Sequence, residues 1–153
     1  MDRRDFVVTL LTGASLSIIG FASGIKPPGV TTLASAKEGY LTLTNPDNPT
    51  PMEKKHVPLI DAPSSARAGQ WIDVRILVGF RSNHPSKKGH WIRWIQLISD
   101  GKEVAKSLYP EGGVCSSSAA FKIRLVKNSR LQAVANCNLH GTWISEAVFV
   151  TVS

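Results

Sequence analysis

Trp71-Ile72-Asp73-Val74-Arg75-Ile76-Leu77-Val78 decides the class of fold. Ile72, Val74, Ile76 and Val78 recur at every second position, with Asp73 and Arg75 between them. That period puts alternate side chains on opposite faces of a strand, one face apolar. Working outward, His90-Trp91-Ile92-Arg93-Trp94-Ile95-Gln96-Leu97-Ile98 reads as a second strand, aromatic and β-branched. Asp100-Gly101 after it is a strong two-residue hairpin signal leading into Glu103–Leu108. Ala119–Val126, Leu131–Cys137 and Trp143–Val152 continue the series, and from about residue 57 the pattern is β throughout. No stretch keeps a 3.6-residue apolar period, so the expectation is an all-β sandwich or barrel. The end loops of a sandwich are free to carry function. Residues 37–55, which include Asn45-Pro46-Asp47-Asn48-Pro49, read as turns and loop.

The chain has 153 residues, 42% of them apolar, enough for one globular domain and an export segment. Asp2-Arg3-Arg4-Asp5-Phe6-Val7 matches a twin-arginine leader, and a weakly apolar run follows to Phe21. Ala34-Ser35-Ala36 is a small-residue cleavage signature. The expectation is a signal over residues 1–36, a mature domain over 37–153, and a location outside the cytoplasmic membrane. A leader left uncleaved would instead anchor the domain to that membrane. Twin-arginine cargo travels folded, often with a cofactor already inserted, so the leader itself points to a bound metal.

The formal net charge is +7. Without residues 1–36 the chain loses Arg3, Arg4, Lys26, Asp2 and Asp5, leaving 15 basic and 9 acidic residues, a net +6. The basic residues are scattered, with no nucleic-acid-binding motif or basic helix, so no nucleic-acid partner is expected. A positive surface also concentrates small anions. Two cysteines, Cys115 and Cys137, are too few for a disulfide scaffold.

Four histidines and one cysteine carry the chemistry. His84 and His90 lie six apart across a Pro-, Lys- and Gly-containing loop. Cys137-Asn138-Leu139-His140 has the Cys-x2-His spacing of metal ligands. His56 precedes a strand, beside Lys54 and Lys55. A single histidine in a β protein is ordinarily just exposed or hydrogen-bonded, and Cys137 has a disulfide to Cys115 as its competing reading. Together, however, the five fit one end of a sandwich. Structural zinc prefers four ligands with more sulfur. Four imidazoles and one thiolate leave one position open on a six-coordinate ion, which suits iron.

These residues resemble the superoxide reductase family, which includes neelaredoxins and desulfoferrodoxins. The resemblance rests on Lys55-His56-Val57-Pro58, His84-Pro85-x4-His90-x-Ile92-x-Trp94-Ile95-x-Leu97, Asp100-Gly101-Lys102 and Cys137-Asn138-Leu139-His140-Gly141-x-Trp143. It implies an immunoglobulin-like β-sandwich with a mononuclear iron site near its surface. His56, His84, His90 and His140 would lie in the equatorial plane, with Cys137 axial and opposite the open position. The implied reaction is one-electron reduction of superoxide to hydrogen peroxide, with iron cycling between Fe2+ and Fe3+. The electron comes from an external donor that the sequence does not name. The rubredoxin-like N-terminal module with its own cysteines is absent, so the likeness is to the single-iron neelaredoxin form. Self-assembly into a homo-oligomer is a further family expectation.

One departure matters. The family pattern reads Glu-Lys-His-Val-Pro, whereas here Glu53 is followed by Lys54, Lys55 and His56. Lys55 keeps its place and would draw in superoxide and orient a proton-delivering water. Glu53, whose counterpart closes the sixth position in the oxidised state, reaches the iron only if the loop bulges. Lys87 and Lys88 either add to the attracting field or are simply a solvated loop. Backbone N–H groups after Cys137 are expected to donate to its sulfur. Two other classes remain open on the residues alone. An exported electron-transfer copper protein would need a methionine after His140, but the two methionines are Met1 and Met52. A non-enzymatic β-sandwich binding module would carry a Cys115–Cys137 disulfide.

Overall fold

In the computed structural model, which describes residues 39–153, alternation of apolar and polar residues becomes nine strands and one short helix. The leader expected over residues 1–36 lies outside the described residues. The elements are α1 (Pro51–His56), β1 (Pro58–Asp61), β2 (Ser65–Ala66), β3 (Trp71–Val78), β4 (Ile92–Ser99), β5 (Lys102–Leu108), β6 (Ser118–Arg124), β7 (Ser129–Cys137), β8 (Gly141–Ile144) and β9 (Val148–Val152). One sheet runs β1-β3-β6. The other runs β2-β9-β7-β4-β5, with β8 also paired to β7. Among the described residues no helix is long and apolar enough to cross a membrane.

The expected β-sandwich is what forms. Ile72, Val74, Ile76 and Val78 of β3 all turn inward, with Ile60 of β1. They meet Ile95 and Leu97 of β4, Leu131, Ala133 and Ala135 of β7 and Val150 of β9. Each fully buried Val, Leu or Ile contributes about 1.5–3 kcal/mol. At the Asp100-Gly101 turn both residues have positive φ, 50° and 81°, as a two-residue turn between twisted strands requires.

Three local features depart from simple alternation. In β4 the register against β7 shifts between Ile92 and Trp94, a bulge at Arg93. The bulge lets Ile92 share the core face with Ile95 and Leu97, and it leaves Trp94 outside under Lys106, 4.8 Å from the ring centre. The expected single strand Trp143–Val152 divides into β8 and β9, which pair with opposite halves of the same edge of β7. Ser145 holds the break: its hydroxyl accepts from the Ala133 N–H and donates to the Glu146 carbonyl. Finally, the stretch expected to be loop contains α1. Thr50 caps it, Pro51 stands in the first turn where no backbone donor is needed, and Glu53 completes a capping box.

Antiparallel pairing decides what meets at the end of the sandwich. Pro58 at the start of β1 lies opposite Val78 at the end of β3. Ile92 at the start of β4 lies opposite Cys137 at the end of β7. The segments carrying His56, His84, His90, Cys137 and His140 adjoin these four strand ends.

Candidate metal centre

The four imidazoles close a ring. Centroid distances are 4.7 Å from His56 to His84, 4.6 Å from His84 to His90, 4.8 Å from His90 to His140 and 4.8 Å from His140 to His56. Each neighbouring pair meets edge to face, at 76–80°. Across the ring, His56 and His90 are 6.1 Å apart and closer to parallel, at 29°. Cys137 Sγ lies 3.5 Å from His140 Nδ1. One donor atom each from His56, His90, Cys137 and His140 falls within 4.8 Å of the other three. His84 is outside that set of four but occupies the corner between His56 and His90.

Which nitrogen each ring offers follows from its other bond. His56 Nδ1–H donates to the Met52 carbonyl at 2.8 Å, one helical turn back, so Nε2 faces the group and lies 3.0 Å from His140 Nδ1. His84 Nδ1–H donates to the Pro85 carbonyl at 2.7 Å, leaving Nε2. His140 turns Nδ1 toward both His56 and Cys137. His84 Nε2 and His90 Nε2 are buried with no hydrogen-bond partner. Buried polar atoms are normally paired, so two orphaned ring nitrogens in one cluster fit an ion that would take both lone pairs. The protonation states fit as well. Burial holds His84 down at about 4, with the His56 charge next, and burial likewise lowers His56 and His90. At neutral pH these rings are neutral, as ligation demands.

The donor set is nitrogen-rich, with one sulfur among five candidate ligands. That exceeds a four-ligand structural zinc site and suits six-coordinate iron with a place for a small molecule. His56, His84 and Cys137 are buried, whereas His90 and His140 are partly exposed, so solvent reaches one side. Cys115 is exposed and Cys137 buried, and both are free thiols, which removes the disulfide-bearing alternative.

Glu53 is not one of the grouped side chains, and its carboxylate is engaged by Thr44 and Thr50. It is 4% exposed, and its carboxylate accepts from Thr44 N–H at 2.8 Å, Thr44 Oγ1 at 2.6 Å and Thr50 N–H at 2.6 Å. These bonds pull its pKa from 4.5 to about 2, the Thr44 hydroxyl first among them. Displaced one position along the chain, the carboxylate falls on the third residue of α1 and locks the helix that ends in His56. Lys55 is exposed at the end of α1, and its charge lowers both His56 and His90. Lys87 acts on His90, while Lys54 and Lys88 stand beside these two in the chain. The expected donation to the Cys137 sulfur is corrected at its first position, since the Asn138 N–H goes to the Trp91 carbonyl at 3.1 Å.

Trp143, which the sequence offers only as a motif residue, contributes to the site. It stacks on His56 at 5.2 Å and 25°, and its Nε1–H donates to the His140 carbonyl at 2.9 Å. One side chain thus braces two corners of the ring.

Comparison with known proteins bears on this geometry. Residues 48–146 match the desulfoferrodoxin family. A desulfoferrodoxin of Nitratidesulfovibrio vulgaris is 34% identical over 95 residues, which cover 62% of this chain and 64% of that protein, less than two thirds of its length. A superoxide reductase of Thermococcus kodakarensis is 33% identical over 104 residues, 61% of this chain and 85% of the relative. Among solved structures, a superoxide reductase (neelaredoxin) from Ignicoccus hospitalis has a TM-score of 0.57 at 32% identity, covering 64% of this chain and 81% of that one. A neelaredoxin from Archaeoglobus fulgidus, at 24% identity and a TM-score of 0.59, adds likeness of fold over 74% of this chain and 99% of that one.

Proposed function

The chain belongs to the desulfoferrodoxin family, and from that premise we propose that it is a superoxide reductase. Its cofactor is one iron ion, which His56 Nε2, His84 Nε2, His90 Nε2, His140 Nδ1 and the Cys137 thiolate would hold. The observation that carries this reading is the closed ring of four imidazoles with a cysteine sulfur 3.5 Å from one of them.

Bound iron supplies the one-electron redox chemistry, alternating between Fe2+ and Fe3+. The chain's own residues do the rest. Superoxide takes up one electron and two protons to become hydrogen peroxide. Lys55, exposed beside His56, draws the anion toward the ring and orders water that can deliver protons. Cys137, buried at the end of β7, would hold the ion as the one anionic ligand, a donor type that suits a metal giving an electron to a small anion. Cys137 is buried within the core cluster, so its side of the group is shielded from solvent.

The finer expectations are proposals of the same kind. Residues 1–36 support export by the twin-arginine route to an extracytoplasmic site. There the reducing equivalent would come from a carrier outside the cytoplasm. Arg3→Lys with Arg4→Lys, followed by cell fractionation, tests the route: the protein should stay in the cytoplasm.

The activity is tested on iron-loaded protein by stopped-flow mixing with superoxide while hydrogen peroxide and dioxygen are both measured. One iron per chain, hydrogen peroxide formation and no dioxygen release are expected. Release of one dioxygen for each hydrogen peroxide would make it a dismutase, and failure to bind iron would remove the proposal.

A further inference from the structure

His90 is the corner of the ring with the least support of its own. His56 and His84 are each oriented by a ring nitrogen bonded to a nearby carbonyl, whereas among the described residues His90 has no such bond and its Nε2 is unpartnered. Its position must come from its backbone. That backbone leaves the sheet at this point. The β4–β7 ladder ends at Ile92 opposite Cys137, just past the bulge at Arg93. His90 itself sits at the foot of a two-residue turn, exchanging both backbone bonds with Lys87 at 2.9 and 3.0 Å. Nothing in that small turn fixes it against the Cys137–His140 turn.

Asn138 supplies the missing link. Its Oδ1 accepts from the Trp91 N–H at 2.9 Å, and its Nδ2–H donates to the Gly89 carbonyl at 3.0 Å. Its own backbone N–H donates to the Trp91 carbonyl at 3.1 Å. The side-chain amide therefore engages the residues on both sides of His90, adding two bonds to the single main-chain bond that continues the pairing beyond Ile92 and Cys137. The same residue lies directly between Cys137 and His140 in sequence. We infer that Asn138 is a positioning residue that fixes His90 to the Cys137–His140 turn, so that three of the five metal-binding side chains are presented as one preassembled unit. The inference rests on the metal-centre reading above and adds to it a residue that touches no ring atom of His90, while its Oδ1 lies 4.0 Å from Cys137 Sγ.

The required side chain is narrow in kind. It needs a donor and an acceptor on one short, planar group, which leaves asparagine as the fit. Leucine is bulky enough but has neither, and aspartate has only the acceptor at neutral pH. Residues that orient metal ligands from behind typically cost ten- to a hundredfold in metal affinity when lost.

The test is a Co2+ titration of the metal-free full chain, read by the visible absorption of bound Co2+. Wild type, Asn138→Ala, His90→Ala and the double variant complete a cycle. Asn138→Ala should weaken Co2+ binding about ten- to a hundredfold, with the metal-free protein's melting temperature nearly unchanged. In the His90→Ala background the same substitution should cost little more, because its effect passes through His90. Equal affinity of Asn138→Ala and wild type, or an equal loss in both backgrounds, would overturn the inference. If Asn138→Ala does not fold, Asn138→Asp, which keeps the acceptor and loses the donor, should show an intermediate loss and is judged by the same cycle. A wild-type chain that binds no Co2+ and no iron would instead sink the metal-centre reading itself.

Discussion

His56 and His90 face each other across the ring of imidazoles, 6.1 Å apart, and they are held by opposite means. His56 ends a helix that is stabilised within a dozen residues of itself. Thr50 and Glu53 cap it, Thr44 binds the Glu53 carboxylate, and Met52 fixes the ring. Gly79 and Arg81 then bond to Val57 and Lys54 carbonyls on the same segment. His90 sits in a short turn whose fixings come from far along the chain. Asn138 grips its flanks, Trp91 Nε1–H reaches the Tyr109 carbonyl, and Gly112 packs against the Lys87 and Lys88 carbonyls. One corner is built mainly from nearby residues, with Gly79, Arg81 and Trp143 added from afar, and the other mainly by tertiary contact. The helix side should tolerate distant change, and the turn side should be sensitive to it.

The largest effect should come from the residue common to both sides. Cys137 closes the ladder opposite Ile92 and stands beside His140, which in turn meets His56. Cys137→Ser is expected to abolish the sulfur-to-iron charge-transfer absorption and most superoxide reduction. An unchanged spectrum would mean that the sulfur is not a ligand. Cys115→Ser, on an exposed loop, should leave iron content intact.

Next in size is Gly112→Ala, which attacks only the turn side. A Cβ there would come within 2.5 Å of the Lys87 carbonyl, 2.7 Å of Trp91 Cε3 and 2.9 Å of the Lys88 carbonyl. Two of those atoms are backbone, so the turn must shift, and overpacking of this kind costs about 1–3 kcal/mol. Denaturant unfolding should show that loss together with faster iron release to a chelator. Iron release at the wild-type rate would show that the 109–117 loop does not support His90.

On the helix side the matching change is Thr50→Ala, which removes the cap of α1 at a cost of about 1 kcal/mol. A pH series sharpens the same contrast. Glu53 titrates near 4.5 when unfolded but is held at about 2 by Thr44 and Thr50. A carboxylate lowered on folding stabilises fully above its unfolded value, and that contribution is lost as pH falls from about 4.5 towards 2. Glu53→Gln should flatten that acid limb in denaturant unfolding; an unaltered limb would show that the carboxylate is not locked in solution.

The same division decides what could be read from the sequence. Strand β3 was fully legible, because Ile72, Val74, Ile76 and Val78 declare their face by period alone. So were the Asp100-Gly101 turn and the five ligand candidates, whose spacing and type are local signals. The helix was legible in principle, since Thr50-Pro51-Met52-Glu53 spells a capping box, but the surrounding Pro, Asn and Thr residues read as loop. The bulge at Arg93 and the break at Ser145 depend on a partner strand and left no local mark. Asn138 and Trp143 stand in the Cys137–Trp143 motif, but their roles, like that of Gly112, show only when the fold brings Gly89, His56 and Lys87 against them. Ligands announce themselves by chemistry, whereas the residues that aim them do so by contact.

The smallest effect tests whether the two sides act together on the substrate. Lys55 belongs to the helix, yet its charge is felt by both His56 and His90, whereas Lys87 is felt by His90. An anion approaching the ring should therefore respond to Lys55 at both corners and to Lys87 at the His90 corner, where Lys87 acts the more strongly. Attraction by exposed charges is screened over about 8–10 Å at ordinary salt, so it belongs to the encounter rather than to the electron transfer. Lys55→Ala should slow the bimolecular reaction with superoxide about two- to tenfold at low ionic strength, one lysine's share of the steering a charged cleft provides. The rate should also become less sensitive to added salt, and Lys88→Ala should do less on both counts. If Lys55→Ala keeps the wild-type rate and salt dependence in stopped-flow mixing, the positive charge at the end of α1 does not guide the anion. The helix side would then serve only to place His56.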